Sequence, residues 1–481
     1  MFYGVSLSFA LLILAACGGS SGGGSGHTIS QTPDFSISLS SAQAWSGGST
    51  GSASYTVNLV PSGGFSGSIA LSATGLPSGV AAVFSPASVT ASGSSTLTLS
   101  GTKPSDNTYP FTITADGGSV THNQNATLVV PGPVAANALI SPGALTGQDA
   151  VSIQQYVIAN PVVTGGTFQV EWSAIDSGSG YNWTYSDTLY NAFAAAGKNV
   201  NFVFWANADS SETSCSSDGQ FGVDNTGNCA IPAYVWTQLT SSNYTTCTPG
   251  NTNGPQQIPN YFATAFQLNY QEFIAAAVAH YGSANFPKVG YIRFGLGHGG
   301  ETLPVGDWNS GDACAQQLAS WGLTIPTWIT YLAGMLAAEE ASDLAVSSPV
   351  QLMVGITPIG NPSTLVPDAV AAAAVPLNIG FGSQGLESND VNNCAGSTAD
   401  WCNLFNKFFG QVPLELQTVG QSCPDNNCAT GSLVNLLPFA VLNHVTILEI
   451  YYQDWLTGFD PSYPGYTQTY QTVLQNTATG Q

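Results

Sequence analysis

From residue 135 to the C-terminus, short apolar runs of β type alternate with alanine-rich helical stretches. No other feature of the sequence restricts the fold as tightly. The runs read as strands are FQVEW (168–172), VNFVFW (200–205), VGYIRFG (289–295), VQLMVGI (350–356), LNIGFG (377–382), VPLELQ (412–417) and VTILEIY (445–451), after a first strand near 137–141. Between them lie helical stretches such as AFQLNYQEFIAAAVAHYG and TWITYLAGMLAAEEASDL. Apolar strands buried on both faces and joined by helices belong to a parallel sheet, because parallel neighbours need a long crossover. Eight such units over residues 135–481 predict an α/β fold, a closed (β/α)8 TIM barrel. An open doubly wound sheet would need a glycine-rich phosphate turn after an early strand, and the sequence has none.

The preceding segment has a different texture. DFSISLS, ASYTVNLV, GSIALSAT, STLTLSG, YPFTITAD and NATLVV alternate with period two between turn formers such as PSGGFSG and GLPSG. About seven short strands in roughly 100 residues predict an all-β sandwich over 33–131. It resembles the immunoglobulin-like modules of bacterial surface proteins. It offers no cluster of His, Cys or carboxylates, and VPGPV (130–134) marks its boundary with the barrel.

The first seventeen residues bear on location. Val5 to Ala16 is an apolar run too short to span a bilayer but suited to a signal-peptide core, and it ends in LAAC at Cys17. This resembles the lipobox of bacterial lipoproteins, although no Lys or Arg precedes the run. The resemblance implies a signal peptide over 1–17, a lipid anchor on Cys17, and a cell-surface or outer-membrane location. Residues 18–32, rich in Gly and Ser, read as a flexible linker.

The remaining cysteines are even in number, which in an exported chain implies disulfides. Proximity suggests Cys215–Cys229, Cys394–Cys402 and Cys423–Cys428, leaving Cys247–Cys314. No cysteine or histidine spacing suits a metal, and no motif asks for a cofactor. With 27 acidic against 5 basic side chains, the chain lacks the cation clusters that nucleic acid or an anionic membrane requires. Any membrane contact is expected through the lipid anchor alone.

Catalytic groups of such a barrel come from the C-terminal ends of its strands. Glu301 follows the fourth strand in GLGHGGE. Glu415 lies on the seventh, where Val412, Leu414 and Leu416 face the helices and Glu415 and Gln417 therefore face the lumen. The same alternation turns Tyr291 and Arg293, the chain's only arginine, inward. A buried guanidinium must be paired. Glu171, Glu415 and Glu449 share its inward parity, so Arg293 is expected either as a structural ion pair with Glu449 in the barrel floor or as the group that keeps a catalytic carboxylate ionised. His298, three residues before Glu301, sits among glycines 295, 297, 299 and 300, which suggest a tight turn or close approach to a ligand.

Glutamates after strand four and on strand seven resemble the large clan of retaining (β/α)8 glycoside hydrolases. Trp172, Asp176, Gly180, Tyr181, Trp183 and Asp187 are similar in order to the second and third units of its β-galactosidase-type members. The resemblance implies Glu301 as acid/base and Glu415 as nucleophile, about 5–5.5 Å apart, on a polysaccharide or oligosaccharide substrate. Trp172, Trp205, Tyr451 and Trp455 are candidates to stack on sugar faces, and His298 and Asp454 to bind hydroxyls. The chain departs from the clan in carrying Gly300 where an Asn normally precedes the acid/base, and Asp176 in place of Glu-Pro. The missing Asn favours the alternative, a barrel that binds carbohydrate without cleaving it.

Overall fold

The eight predicted strands pair in parallel and close on themselves. A computed structural model describes residues 32–40, 43–45, 50–90, 92–130, 132–141, 143–207, 230–247, 256–305, 313–359, 364–393 and 400–480. In it the strands Ala135–Ile140, Gly165–Glu171, Asn199–Trp205, Val289–Phe294, Leu352–Gly355, Gly380–Leu386, Leu414–Thr418 and Ile447–Tyr451 form a closed barrel. The last strand returns to the first, with Ala135 opposite Ile447 and Asn137 opposite Glu449.

The outward set of each strand explains the closure. Phe202, Phe204, Ile292, Phe294, Leu414, Leu416, Leu448 and Ile450 are all fully buried in one continuous core. Each contributes roughly 1.5–3 kcal/mol by leaving water, so no strand can turn this face outward. The helices Thr184–Ala194, Thr264–Tyr281, Ile325–Leu344 and Leu433–Leu442 form where the sequence predicts them. Ile325–Leu344 starts cleanly because the Thr324 hydroxyl accepts from the Thr327 amide and Pro326 occupies its first turn.

The lumen is unusual for such a barrel, whose interior is ordinarily packed with branched aliphatic side chains. Here the inward positions Asn137, Thr167, Asn201, Arg293, Glu415, Gln417 and Glu449 are polar and buried. They are tied to one another: Asn201 Nδ2 donates to Thr167 Oγ1 at 3.0 Å, and Asn137 Nδ2 to Glu449 Oε1 at 3.0 Å.

Ahead of the barrel stand two sheets, almost wholly antiparallel. One has the order Asp34–Leu39, Thr50–Ser62, Gly93–Thr102, Val80–Ser85, and the other Gln43–Ala44, Thr121–Val130, Asn107–Asp116, Ser68–Thr74, Ser88–Thr90. Their inner faces share one apolar cluster that includes Trp45, Tyr55, Leu97, Phe111 and Leu128.

Two of the expected disulfides are present, Cys247–Cys314 and Cys423–Cys428. The signal segment with Cys17, most of the 18–32 linker, the Cys215–Cys229 pair and Cys394 lie outside the described residues. No described helix is long and apolar enough to cross a membrane.

Candidate active site

Arg293 on the fourth strand, with Glu415 and Gln417 on the seventh, organises the lumen. Arg293 Nη1 donates to Glu415 Oε2 at 2.6 Å, and Nη2 to Gln417 Oε1 at 3.2 Å. Burial pushes the Glu415 carboxyl upward, while the guanidinium charge, its hydrogen bond and that of Gln384 pull it back. Gln384 Nε2 lies 3.5 Å from the same Oε2. Strand six makes room for this carboxylate by having no side chain at Gly382, where any Cβ would collide with it.

The expected pairing of Arg293 with Glu449 is corrected. The guanidinium runs to Glu415 and Gln417, and Glu449 Oε1 instead accepts from the Tyr291 hydroxyl at 2.9 Å and from Asn137. Tyr291 fills the Glu449 side of the lumen, so no cation neutralises that acid directly. Burial first, then the negative charge of Glu415, pushes Glu449 up to about 7.

Glu301 stands near enough for the Arg293 charge to act on it. The turn from Gly295 to Glu301 folds back over the barrel: Leu296 and Gly297 amides donate to the Glu301 carbonyl, and the Gly299 amide to the Asn207 carbonyl at 2.6 Å. Gly299 has a φ of 60°, in the left-handed region where glycine is favoured. The Gly300 backbone lies directly over the guanidinium, since a Cβ there would stand 3.4 Å from Arg293 Nη2 and 2.6 Å from Val203 Cγ1. That contact gives the physical reason for glycine where the clan has asparagine. The Glu301 carboxyl is half-buried and accepts from Thr357 Oγ1 at 3.1 Å. Burial raises its pKa, opposed by that hydrogen bond and by Arg293. Burial thus raises both carboxyls on balance, and the two differ in their partners: Glu415 is bonded directly to the guanidinium, whereas Glu301 accepts from a neutral threonine hydroxyl.

The other sequence candidates divide by exposure. Trp205, His298 and Tyr451 are half-buried near the strand ends, with Trp205 beneath the Gly299 turn. Trp172, Asp454 and Trp455 are fully buried. Trp172 Nε1 donates to Asp176 Oδ2 at 2.9 Å, which also accepts from the Tyr234 hydroxyl at 2.8 Å. Asp454 accepts from both the amide and the hydroxyl of Ser422, fastening the loop after strand seven, and burial pushes it up to about 7. In place of the sugar contacts expected of them, these three side chains have internal roles, because indole rings and carboxylates serve packing and loop anchoring equally well.

Sequence reasoning passed over Thr357, Gln384 and Tyr234. Thr357 and Gln384 lie at the ends of strands five and six, where a lone Thr or Gln carries no periodic signal. Among the described residues no group of three or more His, Cys, Asp or Glu is placed to hold a metal ion.

No protein-family model and no curated relative matches this chain. Among solved structures, a candidate alpha-galactosidase from Bacteroides fragilis aligns at TM-score 0.35 and 9% identity, covering 93% of this chain and 78% of that one. A candidate alpha-galactosidase/melibiase from the same organism aligns at TM-score 0.33 and 8% identity, with the same coverage. A Paenibacillus cycloisomaltooligosaccharide glucanotransferase bound to cycloisomaltoheptaose aligns at 0.31 and 11%, covering 78% of this chain and 51% of that one. Likeness at this level carries no argument, and the fold rests on the strand pairing described above.

Proposed function

We propose that the chain is a cell-surface glycoside hydrolase that cleaves an extracellular glycan with retention, Glu415 attacking the anomeric carbon and Glu301 serving as acid/base. One observation supports this most directly: Arg293 is bonded to Glu415 of strand seven and its charge also acts on Glu301, just past strand four. Glu415 is bonded to Arg293, and Glu301 follows the glycine that lies against the same group. In the first step Glu301 gives its proton to the departing glycosidic oxygen as Glu415 forms a glycosyl ester. In the second, Glu301 takes a proton from water as that ester is hydrolysed. The N-terminal sheets act as an immunoglobulin-like spacer, and lipid on Cys17 tethers the whole.

One observation favours the second reading, a barrel that binds sugar without cleaving it. Glu415 has no exposed surface, so attack on a sugar requires the covering segments to move.

The experiment is mechanism-based trapping. A panel of 2-deoxy-2-fluoro glycosides with activated leaving groups should add one glycosyl mass to the peptide containing Glu415, and Glu415→Gln should remain unlabelled. On aryl glycosides, Glu301→Ala should lose most on poor leaving groups and recover with azide. Sugar binding with neither label nor turnover on any panel member selects the binding barrel. The anchor is tested separately: Cys17→Ala should move from the membrane fraction to the soluble one.

A further inference from the structure

A cleft of about 1080 Å³ runs between the helix Leu433–Leu442 and the strands Asn107–Asp116 and Thr121–Val130 of the preceding sheets. Its size is that of a site for a ligand of several rings. Among the described residues no Asp, Glu, Lys or Arg lines it, although the chain carries 27 acidic groups. Phe409 and His444 stack within it, ring centroids 4.1 Å apart and planes 24° from parallel. Burial pushes His444 down to about 4, so this ring too is neutral near pH 7.

Open hydrogen-bonding groups surround the rings. Asn406 and Asn443 each donate Nδ2 to a helix carbonyl, at 2.8 and 2.9 Å, which leaves their Oδ1 atoms as acceptors. Asn435 is exposed at the edge of the cleft. Thr108 Oγ1 is buried and has no hydrogen-bond partner among the described residues. Such a buried hydroxyl is costly unless something bonds it.

We propose that this cleft is a second, non-catalytic binding site for a neutral oligosaccharide. Uncharged amides and hydroxyls match the paired donors and acceptors of sugar hydroxyls, and the half-buried rings of Phe409 and Phe439 match the apolar face of a pyranose. A charged ligand would find no counter-ion here, and a purely apolar one would strand the amides. The site takes only its ligand class from the glycoside reading and does not depend on catalysis.

The test uses the full-length Glu301→Gln protein, so that bound sugar persists. Cellohexaose, xylohexaose, maltohexaose and mannohexaose are each added, and amide hydrogen exchange and titration calorimetry are recorded. At least one should slow exchange over residues 433–444, and Asn435→Ala and Phe409→Ala should each weaken a binding event about tenfold. Asn435 is exposed on its helix, so its variant should keep the parent fold by near-ultraviolet circular dichroism. No protection of residues 433–444 by any of the four sugars overturns the proposal, as does affinity unchanged in both variants. A wild type that cleaves glycans but shows no cleft protection sinks this inference alone. One that cleaves nothing yet shows the protection sinks only the catalytic reading.

Discussion

Arg293 and Glu415, on the fourth and seventh barrel strands, meet at 2.6 Å with side chains 1% and 0% exposed. Because the pair is sealed from water, removing one partner strands the other. Arg293→Met should therefore destabilise the protein by about 3–5 kcal/mol. The double variant Arg293→Met/Glu415→Leu should lose much less, since no lone charge remains in the lumen. Urea denaturation of the wild type, both single variants and the double variant measures this, and additive losses would contradict it.

Stability should fall as pH rises through the range in which the buried acids resist ionisation. Glu449 is pushed from its ordinary 4.5 up to about 7, and Asp454 from 3.8 up to about 7. A raised acid keeps its proton in the folded state while the unfolded chain releases it. The contribution is therefore complete below the unfolded values and lost as pH climbs to about 7. Glu449 alone accounts for at most on the order of 3 kcal/mol. Glu449→Gln should flatten the slope of stability between those limits, as measured by urea midpoints across pH.

Gly300 is expected to be intolerant of any side chain. A methyl group there meets Val203 Cγ1 at 2.6 Å, so Gly300→Ala should cost about 1–3 kcal/mol through overpacking. It should also displace Glu301 and lower turnover on aryl glycosides. Val203→Ala in the same chain should restore part of the stability, and a double variant no better than Gly300→Ala would contradict the packing explanation.

The Cys247–Cys314 bond closes a sequence separation of 67 residues, and Cys314 is fully buried. Replacing both cysteines by alanine should cost about 4 kcal/mol through the entropy returned to the unfolded chain. Mild reductant should leave the folded protein unaffected and shift the denaturant midpoint only when added to unfolded chains before refolding.

The barrel strands were readable because their apolar residues repeat on one parity, and the direction of Arg293 and Glu415 followed from the same repeat. Partners within the lumen were not readable, because parity gives a direction without a distance across the barrel. Glu449 and Glu415 are equivalent by that rule, and only the position of Tyr291 separates them. Val80–Ser85 is not legible as a sandwich strand because alanines blur its alternation. Trp172 and Trp455 look like sugar platforms because an aromatic ring near a strand end has the same sequence signature in the core and at a binding surface.

The only arginine of this chain lies inside the barrel, with 1% of its side chain exposed. An arginine-selective dicarbonyl reagent thus has one target in the whole molecule, hidden while the barrel is closed. Its rate of modification becomes a chemical clock for barrel opening, read at a single residue by mass spectrometry without any engineered label. If the Gly299–Gly300 turn lifts when a glycan enters, substrate should change that rate while the rest of the protein stays folded.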